Sequence, residues 1–355
     1  MVSSTKLNRT KLFVAKYPIG VVSRAKDVEN LLDIKSNDVR VVGIHGLGGI
    51  GKTTTAKAVY NRVADQFEGS SFLMNVRENS STDRKIIKLQ EKLLYEILGS
   101  KEELLSTSKG INVIKERLSS KRILLILDDV DKSGKVENFL GKCDWLANGS
   151  RVIITTRDRR VLNTLEICPL IYEAVPLDQH EAFQLFSKCA FKKDKPEADY
   201  LRLTNQFICY ANGLPLALQI IGSDLHGRSI HEWESVLEKY KKILNKDIQD
   251  ILKVSFEGLD KSEQDIFLDI ACFFKGWSKN YVVDILTACD LHPDYNIPNL
   301  IDKCLIRVEF GKLWMHDLIQ KMGRQIVQEE SDVPGERTRL WRYDDALEVL
   351  TANMV

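Results

Sequence analysis

Several features that direct a chain to a membrane, to secretion or to nucleic acid are missing from these 355 residues. No stretch approaches the roughly 20 consecutive apolar residues that a membrane-spanning helix needs. The first twenty residues lack the apolar core of a secretory signal peptide, because basic residues interrupt every apolar run. The formal net charge is only +1, which gives no electrostatic reason to expect a nucleic-acid or membrane-surface partner.

Paired cysteines are also missing. Seven cysteines are scattered along the chain without a CxxC pair, and their number is odd. This pattern is typical of reduced thiols in a cytosolic protein, and we expect most of them to be small core residues. A hydrophobic fraction of 44% and a charged fraction of 28% are ordinary for a globular protein, and the length suggests two or three domains.

The most informative stretch is 46–53, which has the form GxxxxGK[ST] between an apolar run and a segment of good helix formers. Phosphate binding needs this order, because the loop turns its backbone N–H groups inward and the helix N-terminus adds partial positive charge. We expect Lys52 to reach the β- and γ-phosphates and the Thr53 hydroxyl to ligate Mg²⁺. The nucleotide-binding residues predicted here are Gly46, Gly48, Gly49, Ile50, Gly51, Lys52, Thr53 and Thr54.

An acidic pair ends a later aliphatic stretch. Residues 123–127 are consecutive aliphatics, typical of a strand buried on both faces of a parallel sheet, and Asp128 and Asp129 follow directly. Carboxylates are costly there unless they emerge at the carboxyl edge of the sheet, where ligands bind in open α/β folds. We expect Asp128 to hold Mg²⁺ and Asp129 to orient or deprotonate an attacking water, so both join Lys52 as candidate catalytic residues. The alternative is a strand followed by an acidic turn.

A third buried strand, predicted from residue 149 onward, ends in Arg157. A guanidinium beside the phosphates could read the terminal phosphate as a bidentate donor, and the alternative is a solvated arginine at a strand end. With a further strand at 170–174, at least five strands alternate with helices. This order predicts an α/β P-loop NTPase domain with a doubly wound parallel sheet.

Beyond residue 175 the pattern changes to successive helices. Pro215 occupies the first position of one of them, and local propensity gives this proline no role beyond starting the helix. Later helices precede a predicted type II′ hairpin with Gly311 and Lys312 as turn residues, which resembles a winged-helix module. Asp317 is well placed to cap the next helix, which leaves His316 as an adjacent surface or core residue on local evidence.

Taken together, these stretches resemble the NB-ARC nucleotide switch of plant disease-resistance receptors, in the STAND branch of P-loop NTPases. The resemblance covers about residues 17–345 and rests on ordered motifs at 46–53, 127–131, 155–157, 213–216 and 315–317. The class with an N-terminal TIR domain is resembled at residues 267–274 and 335–341. It is also resembled at Asp131, where coiled-coil-type receptors usually carry tryptophan. We therefore expect an excised core of a TIR-type receptor with leucine-rich repeats, neither of which is present here.

The resemblance implies a domain organisation of five segments. Residues 1–16 would be a linker, 17–175 the P-loop domain, 176–245 a helical subdomain, 246–345 a winged-helix subdomain, and 346–355 the start of a linker to absent repeats.

The resemblance also assigns roles that propensity does not. Val22 and Arg24 would frame the adenine, Pro215 would pack on it, and His316 would donate a hydrogen bond to the β-phosphate of ADP. Arg157 would sense the γ-phosphate. The implied cofactors are ADP in a closed resting state, ATP in an open signalling state, and Mg²⁺ with ATP, held by the P-loop threonine and the first aspartate of the acidic pair.

The implied activity is that of a switch with slow turnover. The acidic pair lacks the glutamate base that is common in faster relatives, and a shorter carboxylate lies farther from the water, so the fragment is at most a slow ATPase. The absent TIR domain of the parent is a candidate NAD⁺ hydrolase. Implied partners are the TIR and repeat domains, a pathogen effector or guarded host protein, and further copies on activation. The implied location is the cytoplasm, with the nucleus left open.

Two other classes of function stay open. A P-loop enzyme of other purpose shares the motifs, although a GTPase should carry an NKxD guanine reader after a late strand, and residues 245–248 lie in the helical region instead. A STAND-type transcription regulator would bind DNA through its winged helix. The helix expected to read the groove, near 297–303, carries one acidic and one basic residue, which is a poor electrostatic footprint.

Overall fold

The structure is a computed structural model that describes residues 10–141, 144–166, 168–193 and 195–351. These residues form two compact units. The first contains 10–46 and Gly51–Val175, and the second contains Leu47–Ile50 together with the chain from Pro176 onward.

The first unit alternates strands and helices in the order that the sequence predicts. Its helices are α1 (Val21–Leu32), α2 (Lys52–Val63), α3 (Val76–Asn79), α4 (Asp83–Leu98), α5 (Thr107–Leu118), α6 (Ser133–Leu140) and α7 (Arg159–Asn163), with a 3₁₀ turn at Ala64–Gln66. Its strands are β1 (Arg40–His45), β2 (Gly69–Leu73), β3 (Ile123–Val130), β4 (Arg151–Thr156) and β5 (Leu170–Glu173).

All five strands run parallel, in the order β2-β3-β4-β1-β5. Leu127 of β3 lies opposite Leu73 of β2 and Ile154 of β4, so the carboxyl ends of these three strands meet at one edge. The register then shifts between Leu127 and Val130. The shift falls on the acidic pair, which places both carboxylates at the edge where open α/β sheets bind ligands.

Both faces of the sheet are covered. Alternate side chains of β3 point to opposite faces, and Leu125 packs with α4, α5 and α6 while Leu124 packs with α1 and α2. Ile123 to Leu127 are all fully buried, which explains why the strand is continuously aliphatic rather than alternating. Each such side chain contributes about 1.5–3 kcal/mol by leaving water. The predicted doubly wound sheet is confirmed.

In the described part of the second unit, the regular elements are helices and one short hairpin. Its helices are α8 (Gln179–Phe191), α9 (Leu201–Ala211), α10 (Pro215–Leu225), α11 (Ile230–Lys242), α12 (Lys246–Glu257), α13 (Lys261–Asp269), α14 (Lys279–Ala288), α15 (Pro293–Asp302), α16 (Asp317–Gln328) and α17 (Tyr343–Thr351). A π-helical turn spans Ile270–Phe274, 3₁₀ turns span Ala198–Tyr200 and Pro334–Glu336, and the hairpin strands are β6 (Arg307–Glu309) and β7 (Lys312–Trp314).

Trp233 organises the core of the first helices of this unit. Its ring contacts those of Phe186 and Phe207 edge-on at centroid distances of 5.9 and 5.8 Å. Its indole N–H donates to the Leu225 carbonyl at 3.0 Å, so the largest buried side chain is also satisfied in hydrogen bonding.

The hairpin differs from the prediction by one residue. Glu309 lies opposite Lys312, so the turn residues are Phe310 and Gly311, and Lys312 is already in β7. Both turn residues have positive φ, 50° and 73°, which is the geometry of a type I′ turn rather than II′. The exposed Phe310 occupies the position that sequence reasoning left to the strand.

The cysteine prediction is partly wrong. Of the cysteines in the described residues, only Cys189 and Cys272 are buried, and Cys168, Cys209 and Cys289 are exposed. Cys143 lies outside the described residues. Within the described ranges, no helix has both the length and the apolar character to span a bilayer.

Candidate nucleotide-binding site

The P-loop begins where the buried strand β1 ends. Gly51 directly precedes α2 and has a φ of 102°, a backbone conformation that residues other than glycine rarely adopt. Lys52 is buried, and its ammonium donates to the Gly46 carbonyl at 2.7 Å. Thr53 and Thr54 follow in the first turn of α2, so the predicted strand and helix flank the loop in the predicted order.

The Thr53 hydroxyl contacts the acidic end of β3. It donates to Asp128 Oδ1 at 2.8 Å, and the same oxygen accepts a second hydrogen bond from the Thr155 hydroxyl at 2.7 Å. Asp128 is only 2% exposed. Burial raises the pKa of the Asp128 carboxyl above its usual range, and the two hydroxyl bonds oppose that shift.

Thr155 has a role that sequence reasoning missed. Its oxygen also accepts the Asp129 backbone N–H at 2.8 Å, so one side chain from β4 fixes both acidic residues of β3. This bond holds Asp129 in the left-handed region, at a φ of 57°. The position of Thr155, two residues before Arg157 at the end of a strand, could have marked it as a site residue. Its contacts with both aspartates, however, depend on the register between β3 and β4, which the sequence does not reveal.

The Asp129 carboxylate lies between two arginines. Arg157 Nε is 3.6 Å from Asp129 Oδ1, and Arg77 Nη2 is 3.0 Å from Oδ2. Burial lowers the pKa of Arg157, and the neighbouring carboxylate opposes this effect. Arg77, on the short helix α3, is the second residue that sequence reasoning missed, because nothing in its local pattern marks it.

The two residues predicted to frame the adenine lie at the start of α1. Val22 is exposed, and Arg24 donates from Nη1 to the Gly20 carbonyl at 2.7 Å. Both belong to the first unit, together with the lysine, threonine and acidic residues described above.

The other predicted site residues belong to the second unit. Gly48, Gly49 and Ile50 group with it, and the Gly49 carbonyl accepts the Leu216 N–H at 3.3 Å. A Cβ on Gly49 would lie 2.8 Å from Leu216 Cβ, so the close approach requires glycine at that position. Pro215, the preceding residue, is the first residue of α10 as predicted.

His316 has protein partners at both ring nitrogens. Nδ1 accepts the Leu318 N–H at 3.2 Å, and Nε2 lies 3.1 Å from the Asn212 carbonyl. Because Nδ1 accepts and a carbonyl cannot donate, the ring is the neutral tautomer with its proton on Nε2. Burial lowers the pKa of His316, which favours the same neutral form.

The prediction that Asp317 caps this helix is wrong, because His316 is the capping residue of α16. The Asp317 carboxylate instead contacts the Lys275 ammonium and the Asn212 side-chain amide. Asn212 therefore receives contacts from both residues of the predicted motif, through its backbone carbonyl and its side chain.

Two family models match the chain, over separate residue ranges. The NB-ARC domain model matches residues 23–196, and the winged-helix domain of Roq1-like disease resistance proteins matches residues 260–331. The chain carries an NB-ARC domain. The predicted resemblance and the predicted succession of a P-loop domain, helices and a winged helix are confirmed.

Named relatives of this NB-ARC chain are plant disease resistance proteins. Disease resistance protein RUN1 of Vitis rotundifolia is 44% identical over 337 residues, which is 94% of this chain and 25% of the relative. TMV resistance protein N of Nicotiana glutinosa is 40% identical over 358 residues, 99% of this chain and 31% of the relative. The chain thus spans between a quarter and a third of these relatives.

A solved structure shares the fold of the NB-ARC chain. The Walker-type ATPase PABY2304 of Pyrococcus abyssi superposes with a TM-score of 0.58 at 12% identity, covering 85% of this chain and 95% of that one. At this identity the likeness supports the P-loop ATPase fold alone.

Proposed function

We propose that the chain is the ADP- and ATP-binding switch of an intracellular plant immune receptor, with slow hydrolysis. ADP would maintain the resting state and ATP the signalling state. The observation that carries this proposal is the 2.8 Å contact between the Thr53 hydroxyl and the Asp128 carboxylate, which joins the P-loop to the acidic strand end in one unit. A P-loop hydroxyl beside a strand-end carboxylate is the arrangement that binds a metal-bound nucleotide.

The donor set fits Mg²⁺. Thr53 and Asp128 offer oxygen atoms, which this hard cation prefers, and a buried carboxylate whose pKa is raised gains stability from a nearby cation. Within the described residues, no group of three or more His, Cys, Asp or Glu side chains could hold a metal. A site with few protein ligands suits an ion that shares its coordination with nucleotide phosphates, where it neutralises phosphate charge.

Slow hydrolysis is supported by the surroundings of Asp129. Its carboxylate pairs with Arg77 through Oδ2 and with Arg157 through Oδ1, so both of its oxygens already face cations. A carboxylate held in this way has fewer lone pairs left to accept a proton from an attacking water. We therefore propose that Asp129 controls arginine placement more than it activates water.

The remaining roles are extensions of this proposal. We propose that Val22, Arg24 and Pro215 contact the adenine side and that His316 contacts the β-phosphate of ADP. For His316 this requires an exchange, because its Nε2–H is used by the Asn212 carbonyl and would have to turn to a phosphate oxygen. We also propose the subdomains at 176–245 and 246–345 and the linkers at 1–16 and 346–355. For the parent chain we propose TIR and repeat domains, effector recognition, self-assembly and a cytoplasmic or nuclear location.

The test is to denature the purified protein and identify the released nucleotide by chromatography against the protein concentration. We expect close to one ADP per chain. The Lys52→Ala variant should lose the bound ADP, because Lys52 is the lysine that we place at the phosphates. Lys57→Ala is the matched control, since it removes the same group from the same helix away from the loop. Guanine nucleotide in the wild type, or full occupancy in Lys52→Ala, would refute the proposal.

A further inference from the structure

One carboxylate and two guanidiniums form a cluster at the carboxyl edge of the sheet, and the roles above use only part of it. Arg77 Nη2 is 3.0 Å from Asp129, and Arg157 Nε is 3.6 Å from the same carboxylate. The three side chains are similarly shielded, with exposures of 25%, 21% and 21%. Two cations therefore share one partly buried anion. Because the three groups are only partly exposed, solvent screens their attraction less than it screens a pair on the open surface.

The helix that carries Arg77 has its own anchor. α3 is only four residues long, and it begins after Asn75, which has a φ of 52°. Lys135 of α6 donates to the Arg77 carbonyl at 2.9 Å and pairs with Asp131 at 2.9 Å. Asp131, one of the residues that resemble TIR-type receptors, thus holds Lys135, which in turn fixes the backbone of Arg77.

The arrangement has a consequence for Arg157. If Arg157 turns from Asp129 to a terminal phosphate, the carboxylate keeps Arg77 as its partner. Without Arg77, the same movement would leave a partly buried carboxylate unpaired, which is strongly unfavourable. Removal of Arg77 would also relieve its repulsion of Arg157, which strengthens the remaining pair. Both effects make Arg157 harder to release.

We propose that Arg77 is a positioning residue which, through Asp129, sets how readily Arg157 is released to the terminal phosphate, and thereby how well ATP is distinguished from ADP. The inference rests on the proposed function, in which Arg157 reads that phosphate. Asp131 and Lys135 support it by fixing α3. A ligand shifts an equilibrium only by its differential contacts, and here the contact in competition is the one between Arg157 and Asp129.

The experiment measures the dissociation constants of ADP and of a non-hydrolysable ATP analogue, both with Mg²⁺, for the purified chain and its variants. We expect Arg77→Gln to weaken the analogue about tenfold relative to ADP, the scale of one charge-assisted hydrogen bond. Arg77→Lys should retain part of the preference, since it keeps the charge. Arg159→Gln is the control, because it breaks an exposed pair with Glu173 in the same unit.

A double variant separates positioning from direct phosphate contact. In Asp129→Asn the analogue should not lose affinity relative to ADP, and Arg77→Gln added to it should change the ratio by less than about twofold, because the residue through which Arg77 acts is gone. An additive loss in the double variant would refute positioning in favour of direct contact. If Arg77→Gln fails to fold, Lys135→Met carries the test, with a smaller loss of preference expected.

The failures are distinguishable. Unchanged ratios in Arg77→Gln and Lys135→Met, with nucleotide binding that still depends on Lys52, would overturn this inference and leave the proposed function intact. A wild-type chain that binds neither nucleotide would overturn the proposed function itself.

Discussion

Replacing Asp128 by asparagine should move stability and nucleotide binding in opposite directions. The carboxylate is 2% exposed, and burial raises its pKa above the ordinary 3.8 despite two hydrogen bonds to its Oδ1. Asparagine has the same shape, and its own Oδ1 can accept from Thr53 and Thr155. The substitution therefore removes a costly charge and keeps both bonds.

We expect the free energy of unfolding of the nucleotide-free Asp128→Asn protein to rise by about 1–2 kcal/mol, the usual gain when a destabilised functional residue is relieved. For a domain of this size, each kcal/mol raises Tm by about 2–4 °C. Mg²⁺-dependent ATP binding should fall by at least about tenfold, because a neutral amide is a poorer ligand for this cation. Calorimetry in a chelator, with nucleotide removed, measures the first effect, and titration calorimetry measures the second.

The pH dependence adds a further check. A carboxyl whose pKa is raised in the folded state binds more protons there, so its contribution to stability is present at acid pH and is lost as pH rises through that pKa. The advantage of asparagine should therefore be absent near pH 4 and present at neutral pH, with the change between them. Asp65→Asn, an exposed change of the same atoms in the same unit, should show no such trend. Equal or lower stability of Asp128→Asn at neutral pH would refute the reasoning.

Three further predictions concern other contacts. Thr155→Val removes the donor to Asp128 and leaves the Asp129 N–H unpaired, which should cost about 2–4 kcal/mol of unfolding free energy in urea denaturation. His316→Ala and Asp317→Val should speed ADP release and bias a full-length receptor toward signalling, as stopped-flow release and a plant cell-death assay would show. Arg339→Gln breaks contacts of 2.6 and 3.3 Å to the carboxylates of Asp269 and Asp265, and should cost about 3 kcal/mol in thermal unfolding.

Each of these predictions has a matched control. Thr155→Ser keeps the hydroxyl and should retain most of the stability, so equal losses for serine and valine would contradict the hydrogen-bond account. His231→Ala changes an exposed histidine and should leave ADP release unchanged. Unchanged ADP release in His316→Ala would count against the proposed phosphate contact. Arg342→Gln removes an arginine that is half exposed, and a stability loss as large as that of Arg339→Gln would argue against a specific role for the Arg339 pairs.

The fold and the core of the site follow from local signals. Glycines at fixed positions, a lysine and a threonine define the P-loop within a few residues, and five consecutive aliphatics define β3 without reference to the rest of the chain. Alternation of strands with helices then limits the topology to a parallel sheet. The carboxyl end of β3 is consequently predictable as the place where Asp128 meets Thr53.

The contacts that sequence reasoning missed depend on distances between elements rather than on patterns within them. Arg77 reaches Asp129 because β2 neighbours β3, and Thr155 reaches both aspartates because the register of β3 and β4 shifts at that point. Nothing within either segment reveals the strand order. The exchange of capping roles between Asp317 and His316 has a similar cause, because both residues can cap, and the hydrogen bond to Asn212 fixes the histidine ring.

The free energy of a single contact limits how the proposed switch can work. Reversing a 99:1 population takes about 5.5 kcal/mol of differential binding, whereas one charge-assisted hydrogen bond supplies about 1.5–3 kcal/mol. Transfer of Arg157 from Asp129 to a phosphate gives up a 3.6 Å ion pair for the new contact, so its net contribution is smaller still. Between two and four contacts must therefore change together, and loss of His316 alone should shift the resting population without emptying it. A complete loss of the resting state in His316→Ala would mean that the two states differ by far less than 99:1 in the wild type.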